Sequence, residues 1–209
     1  MKTGFSIFAV TFISIFTVHC APAQTDYFVT VDPNTGAITK STSFPKLQTV
    51  YSTAYDQTLN RFFFIGYGSD GYYRLYTLLA AGGGIVSSPV IPSAYPGVVP
   101  ITNLQFDNIA NKLYGFTQNG THVFLVSINP NDGTYTAIDS FPSIAPVYLS
   151  MFDHHSGNCV FITGSIPQSL PYQLHIYDPA GRKHISDFYL TNQNGCSPSF
   201  IQCLQHDDS

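Results

Sequence analysis

The sequence contains no glutamate, so all twelve of its acidic residues are aspartates. Because glutamate favours helices whereas aspartate favours turns, this bias disfavours a helical protein. Only 10% of the residues are charged and 44% are hydrophobic, which excludes a disordered chain, since disorder requires high charge and low hydrophobicity. Basic residues are outnumbered by acidic ones and the net charge is −4, so a nucleic-acid partner is not expected.

A hydrophobic run long enough to span a membrane is also missing. The apolar run at residues 5–18 is shorter than the roughly 20 residues that a spanning helix needs. It follows Lys2 and precedes a small-x-small cleavage site at residues 21–23, a pattern typical of a secretory signal peptide. We therefore expect residues 1–23 to be removed and the mature protein to be secreted and extracellular.

Cysteines are few, and the expected mature chain contains an odd number of them: Cys159, Cys196 and Cys203. In an oxidising compartment we expect Cys196 and Cys203 to form a disulfide that pins the tail, and Cys159 to be a buried thiol. Pairing of Cys159 with one of the tail cysteines is the main alternative. Cys20 would carry a lipid only in a bacterial lipoprotein, for which His19 is a poor match.

What the sequence does contain is a repeated hairpin pattern, in which a strand, a turn opened by an aspartate and a second strand follow one another. Three stretches follow this pattern: residues 53–65 with Asp56, residues 104–116 with Asp107, and residues 150–163 with Asp153. The turn aspartates are 51 and 46 positions apart, close to the 20–50-residue periods of repeat proteins. The hairpin is therefore the unit of a repeat.

A second motif places a turn rich in Asp, Pro, Asn and Gly between two further strands. The clearest copy is the turn at residues 32–36, and related turns occur at residues 129–133 and 178–181, with a glycine run at residues 82–84. Together the two motifs predict repeats of four short antiparallel strands, best seen over residues 101–140. The predicted fold class is all-β.

These repeats resemble those of the β-propeller superfamily, in particular extracellular blades with a Val-Asp-Pro-x-Thr-Gly turn, which residues 27–36 match. The resemblance implies a β-propeller of four-stranded antiparallel blades over residues 24–195. Two N-terminal strands, twelve strands in three blades and one strand in the tail, residues 196–209, make about three and a half to four blades. We expect the N-terminal pair and the tail strand to share the last blade, because closure removes exposed edges. An open arc that forms a homo-oligomer, or that belongs to a larger propeller, is the alternative.

The same resemblance implies that the first strand of each blade lines a central channel. The predicted channel-lining residues are uncharged and suited to a neutral polar ligand: Ser52, Asn103, Ser150 and Gln202. Separately, the sequon that begins at Asn119 predicts an N-glycan in a loop between two strands, although an Asn-Gly hairpin turn explains the same residues.

Two apparent chemical clusters have a structural explanation. His154 and His155 are adjacent, and adjacent residues of an extended chain point to opposite faces, so we expect no metal site there. The turn aspartates fall one to a blade, too far apart for paired acid–base catalysis, and aspartate commonly caps turns. The sequence therefore predicts no catalytic residue, metal site or cofactor.

These features favour a secreted, non-catalytic binding module with an extracellular protein or a glycan on one face of the ring. Two alternatives stay open, because propellers host many functions. One is a secreted propeller hydrolase or lactonase, which would place charged residues and a divalent ion at the channel mouth. The other is a structural coat or matrix protein, which the low charge and aromatic richness suggest.

Overall fold

A computed structural model describes residues 26–31, 35–44, 47–92, 101–142, 147–163 and 172–190. Within these ranges the chain forms β-strands and no helix, and so no helix there is suited to crossing a membrane. The strands are β1 (Asp26–Val31), β2 (Ile38–Phe44), β3 (Leu47–Asp56), β4 (Arg61–Gly68), β5 (Tyr73–Leu79), β6 (Ile85–Ser87), β7 (Thr102–Asp107), β8 (Lys112–Gln118), β9 (His122–Ile128), β10 (Tyr135–Pro142), β11 (Val147–Asp153), β12 (Asn158–Thr163), β13 (Tyr172–Asp178) and β14 (Lys183–Leu190).

The strands form three four-stranded antiparallel sheets and one two-stranded sheet. Strands β3–β6 form blade I, β7–β10 form blade II and β11–β14 form blade III, each as a simple meander, while β1 pairs with β2. The first strands of successive blades, β3, β7 and β11, contact one another and so lie at the centre. The predicted all-β propeller of about three and a half to four blades is confirmed. The expected strand in the tail lies outside the described residues.

The core lies between the blades, because alternate residues of a strand point to opposite faces of its sheet. On β4, Phe63 faces blade II and stacks on Phe106 with ring centroids 5.3 Å apart. Its neighbour Phe64 points the other way and packs with Phe28 of β1. The two-stranded sheet therefore covers the face of blade I that blade II leaves free.

Blades II and III pack by the same alternation. Leu113 of β8 faces blade I, whereas Tyr114 and Phe116 face blade III. Phe116 meets Phe161 of β12 with ring centroids 4.9 Å apart. Burying such rings away from water contributes about 1.5–3 kcal/mol for each.

The turn aspartates cap their own turns, as the sequence predicts. Oδ1 of Asp107 accepts hydrogen bonds from the backbone nitrogens of Ile109 and Ala110, both at 2.9 Å. The corresponding bonds, to the nitrogens two and three residues on, recur at Asp56, Asp153 and Asp178. Each of these turns closes with a residue at positive φ: Asn60, Asn111, Gly157 or Arg182.

Cys159 is a free thiol that is completely buried, which confirms its interpretation as a core residue. Its sulfur lies 3.4 Å from Oε1 of Gln105, and burial raises the pKa of the thiol. A thiol held in its protonated form is a poor nucleophile. Cys196 and Cys203 lie outside the described residues, so their disulfide stays a prediction.

Candidate functional site

A cavity of about 290 Å³ opens at the end of the blades where β7 and β11 begin. Segments of all three blades contribute to its wall, because their first strands converge there. The lining residues are Tyr51, Ser52, Thr102, Asn103, Phe116, Thr117, Gln118, Val123, Val147 and Tyr148.

Asn103 shapes this cavity through an irregular backbone. Its φ is +52°, a left-handed conformation that asparagine tolerates better than most residues, and the pairing of β7 with β8 shifts register between Thr102 and Gln105. The Asn103 side chain donates from Nδ2 to the carbonyl oxygen of Val147 at 2.9 Å. This bond joins blade II to blade III.

Ser52 and Ser150 make the corresponding links on either side of β7. Oγ of Ser52 accepts a hydrogen bond from the backbone nitrogen of Leu104 at 2.5 Å, and Oγ of Ser150 donates to the carbonyl oxygen of Asn103 at 3.4 Å. First strands of neighbouring blades share no ladder, and their buried backbone groups still need partners. Short polar side chains therefore connect the blades at the centre.

The structure brings three of the predicted channel residues together. Ser52 and Asn103 line the cavity, and Ser150 bonds to Asn103 from the adjoining strand. Gln202 lies outside the described residues. The polar side chains at these positions thus join the blades to one another. Contacts to a ligand at the cavity wall would come from the other lining residues.

A row of tyrosines on blade I leads away from the cavity. Tyr51 meets Tyr73 edge to face at 5.5 Å between centroids, and Tyr73 packs on Tyr67 at 4.7 Å. Burial and the neighbouring hydroxyl of Tyr51 raise the pKa of Tyr73 to about 12. Near neutral pH Tyr73 is therefore an uncharged group that combines an apolar surface with a hydroxyl.

A second tyrosine pair stands on blade III across the cavity. Tyr148 is 49% exposed and meets Tyr172 edge to face at 5.6 Å between centroids. The sequence analysis noted the aromatic richness of the chain but did not select these residues. Their position in the sequence could have identified them, because Tyr148 lies near the start of β11 and Tyr172 at the start of β13, beside the predicted channel residues.

The cavity wall carries no charged side chain among the residues that the structure describes. None of these lining residues is acidic, basic or a histidine. A nearby charged pair at the β4–β5 hairpin neutralises itself, because Arg74 lies 2.8 Å from Asp70 and its hydrogen bond lowers the pKa of that carboxyl. The site is thus suited to holding a neutral ligand, and its described lining residues include no carboxylate or imidazole.

The predicted glycosylation residue, Asn119, follows the lining residue Gln118 in the exposed loop between β8 and β9. Its Oδ1 accepts from the backbone nitrogen of His122 at 3.1 Å, so an Asn-Gly turn is present. A glycan would be attached through Nδ2, and the exposed loop is accessible to this modification. The two interpretations of this sequon are compatible.

His154 and His155 lie in the exposed turn after β11. The ring of His154 packs against Phe152 at 5.4 Å between centroids, and the backbone nitrogen of His155 donates to Asp153. Both residues thus take part in the ordinary packing of this turn.

No family model matches the chain, and no curated protein matches it in sequence. Solved structures do match its fold. A chain of a nidogen/laminin complex is 15% identical with a TM-score of 0.50, and the match covers 79% of this chain and 74% of that one. An oligogalacturonate lyase in complex with manganese is 13% identical with a TM-score of 0.54, and the match covers 78% of this chain and 42% of the lyase. TolB from Acinetobacter baumannii is 12% identical with a TM-score of 0.55, and the match covers 80% of this chain and 38% of TolB.

These neighbours are β-propeller proteins, which agrees with the blades described above. The chain spans less than half the length of the lyase and of TolB. At such low identity the likeness shows the fold alone, and the neighbours themselves include both binding proteins and enzymes. Fold likeness therefore does not determine the function, which depends on the chemistry of the site.

Proposed function

We propose that this protein is a secreted, non-catalytic binding module that holds a neutral polar ligand on the face where β7 and β11 begin. The observation that carries the proposal is a charge-free cavity flanked by exposed tyrosines on two different blades. Tyrosine supplies a large, rigid contact surface with a hydroxyl at its edge and is enriched in binding sites. The signal-peptide pattern at residues 1–23 supports secretion, and N-terminal sequencing of the exported protein should begin at Gln24.

A glycan fits this site better than a charged partner does. Sugar rings present hydroxyls and an apolar face, and the wall offers both hydrogen-bonding side chains, such as Thr102 and Gln118, and tyrosine rings. A neutral segment of an extracellular protein is the other ligand of this chemistry. The hydrolase alternative receives no support from the wall, which offers no carboxylate or imidazole for proton transfer.

The test is a screen of the mature protein against neutral glycans and extracellular proteins, followed by titration of the ligands found. We expect Tyr148→Ala and Tyr51→Ala each to weaken binding by roughly tenfold or more, as is usual for a central aromatic contact. Tyr189→Ala is the matched control, because Tyr189 is 67% exposed on β14 and does not line the cavity.

Salt dependence gives a second readout. Because the wall is uncharged, the affinity should change little between about 0.05 and 0.5 M salt, whereas contacts between charges would weaken through screening. A ligand whose binding is insensitive to both cavity variants, or whose affinity collapses with salt, would contradict the proposed site. Turnover of a bound glycan would replace the binding proposal with the enzymatic one.

A further inference from the structure

Two histidines and an aspartate converge on the outer strands of blade III. His175 is on β13, and His184 and Asp187 are on β14. Nδ1 of His175 lies 2.5 Å from Oδ1 of Asp187, and Nε2 of His184 lies 2.7 Å from the same oxygen. One nitrogen or oxygen from each residue falls within 4.8 Å of the other two, close enough for one metal ion to bind all three after the side chains adjust.

The strand register produces this cluster. His175 pairs directly with Asp187 across the β13–β14 ladder. The ladder shifts by one residue between Ile176 and Tyr177, so that His184, three residues before Asp187, also turns toward the pair. Without this shift, alternation would place His184 and Asp187 on opposite faces.

His175 is arranged as metal-ligating histidines usually are. It is 7% exposed, its ring stacks on Phe161 at 4.7 Å, and its Nε2 lies 2.8 Å from Oγ1 of Thr163. Its Nδ1 is buried, points into the cluster and has no hydrogen bond of acceptable geometry. In ligating histidines one ring nitrogen donates to an oxygen outside the metal shell, which orients the ring and directs the other nitrogen at the ion.

The Asp187 carboxylate has to be balanced by positive charge. With the proton on Nε2, which donates to Thr163, the lone pair of His175 Nδ1 faces the carboxylate oxygen and the second imidazole. Three electron-rich atoms at this distance repel one another. A divalent cation between them attracts each of the three atoms and so offsets this repulsion. The rival solution is a proton on Nδ1, which would make the cluster an ion pair only.

We propose that His175 Nδ1, His184 Nε2 and a carboxylate oxygen of Asp187 bind one divalent transition-metal ion, for which Zn²⁺ is the probe. Two imidazoles and one carboxylate suit zinc and its neighbours and do not suit calcium or magnesium, which prefer oxygen. His184 and Asp187 are 39% and 36% exposed, so the ion can enter from solvent and keep a fourth position for water.

The required rearrangement is small. Metal–ligand bonds of about 2.0–2.2 Å place the corners of a tetrahedron about 3.3–3.6 Å apart, so the carboxylate oxygen must move away from each imidazole nitrogen by roughly 1 Å. The two imidazole nitrogens lie within 4.8 Å of each other and must come to the same separation. The exposed side chains of Asp187 and His184 can do this while His175 stays in place. This site lies outside the cavity wall, and neither proposal depends on the other.

The experiment is calorimetric titration of the metal-free, folded mature protein with Zn²⁺, with Co²⁺ as a spectroscopic substitute. We expect one ion per chain, visible Co²⁺ absorption typical of a four-coordinate site, and a higher melting temperature with zinc. His184→Ala and Asp187→Asn should each lower the affinity by at least about 100-fold, since removal of a ligand should exceed the 10–100-fold loss of an outer partner.

Two further variants separate positioning from ligation. Thr163→Val keeps all three ligands but removes the oxygen beside Nε2, so the affinity should fall roughly tenfold while the stoichiometry stays at one. His155→Ala is the matched control, because His155 is exposed and lies outside the cluster, and it should bind zinc like the unaltered protein. Circular dichroism of each variant confirms that the fold is retained.

Failure of the unaltered protein to bind Zn²⁺ or Co²⁺ would overturn the proposal and leave the cluster as a proton-mediated ion pair. Equal affinity in His184→Ala, or an equal loss in His155→Ala, would also overturn it by placing the ion elsewhere. These outcomes are distinct from failure of the binding function, which the cavity variants report.

Discussion

Asp107 illustrates what one side chain contributes to a blade. It is 5% exposed, and its single oxygen satisfies two backbone nitrogens that the tight turn after β7 would otherwise leave without partners. A hydrogen bond of this kind contributes about 0.5–1.5 kcal/mol net, so the two bonds together contribute roughly 1–3 kcal/mol. The aspartate is therefore required by the turn, and this explains why it returns in every blade.

This reasoning predicts that Asp107→Ala lowers the free energy of unfolding by about 1–3 kcal/mol, measured by urea denaturation. Asp107→Asn is the matched variant, since its amide oxygen can accept the same two bonds, and it should retain most of the stability. Equal losses in the two variants would show that the negative charge matters and that the capping bonds do not.

At the scale of elements, the strand alternation accounts for most of what the sequence predicts. Residues 104–116 show a strand, an aspartate turn and a strand, and the structure forms β7, the capped turn and β8 there. The pattern is local, because side-chain periodicity and turn chemistry are both properties of a few consecutive residues. The number of strands in each blade follows from counting these local units.

The features that were not predicted depend on register shifts. Asn103 adopts a positive φ within β7, and nothing in its neighbouring residues marks the irregularity. The shift between Ile176 and Tyr177 is likewise unmarked, although it decides whether His184 joins Asp187. Both depend on contacts between strands, so a one-sequence pattern carries no signal for them.

Tyr114 supplies a prediction for the interface between blades II and III. It is 1% exposed on β8, and burial, followed by the charge of Asp107, raises its pKa to about 12. In the unfolded chain tyrosine loses its proton near pH 10, whereas the folded protein retains it until the higher value. The stability due to this group is therefore complete below pH 10 and is lost as the pH rises toward about 12.

We therefore expect the urea midpoint to fall less between about pH 8 and pH 11 in Tyr114→Phe than in the unaltered protein. Part of the alkaline loss should persist, because Tyr73 also has a raised pKa. Tyr189→Phe is the control, since Tyr189 is 67% exposed, and its pH dependence should match that of the unaltered protein. An identical alkaline loss in all three proteins would contradict the assignment.

At the scale of the whole molecule, blade III presents a second apolar face. Cys159 and Phe161 of β12 point toward blade II, so the residues between and beside them point outward. The ladder places a continuous apolar set on this outward face: Leu149, Met151, Val160, Ile162, Leu174, Ile176 and Phe188. Ile162 is only 1% exposed whereas Phe188 is 51% exposed, so this face is most open along β14, where an apolar surface favours association unless something covers it.

We propose that residues 196–209 join the N-terminal pair to close the ring beside this face, with Cys196 and Cys203 as the disulfide of the tail. The mature chain should then sediment as a monomer, whereas deletion of residues 196–209 should produce concentration-dependent association. Deletion of residues 206–209 alone is the control and should leave the monomer intact. Association of the full mature chain at low concentration would favour the open arc that forms a homo-oligomer.

The aspartate turns also separate two ends of the molecule. They follow β3, β7, β11 and β13, and so they lie at the end opposite the tyrosine-flanked cavity. Ile109, at the tip of the turn after β7, is 72% exposed, and the turn bonds there use only its backbone nitrogen. A fluorophore or a tether to a sensor chip attached at this tip would leave the opposite rim free, so immobilised protein would present every copy in the same orientation.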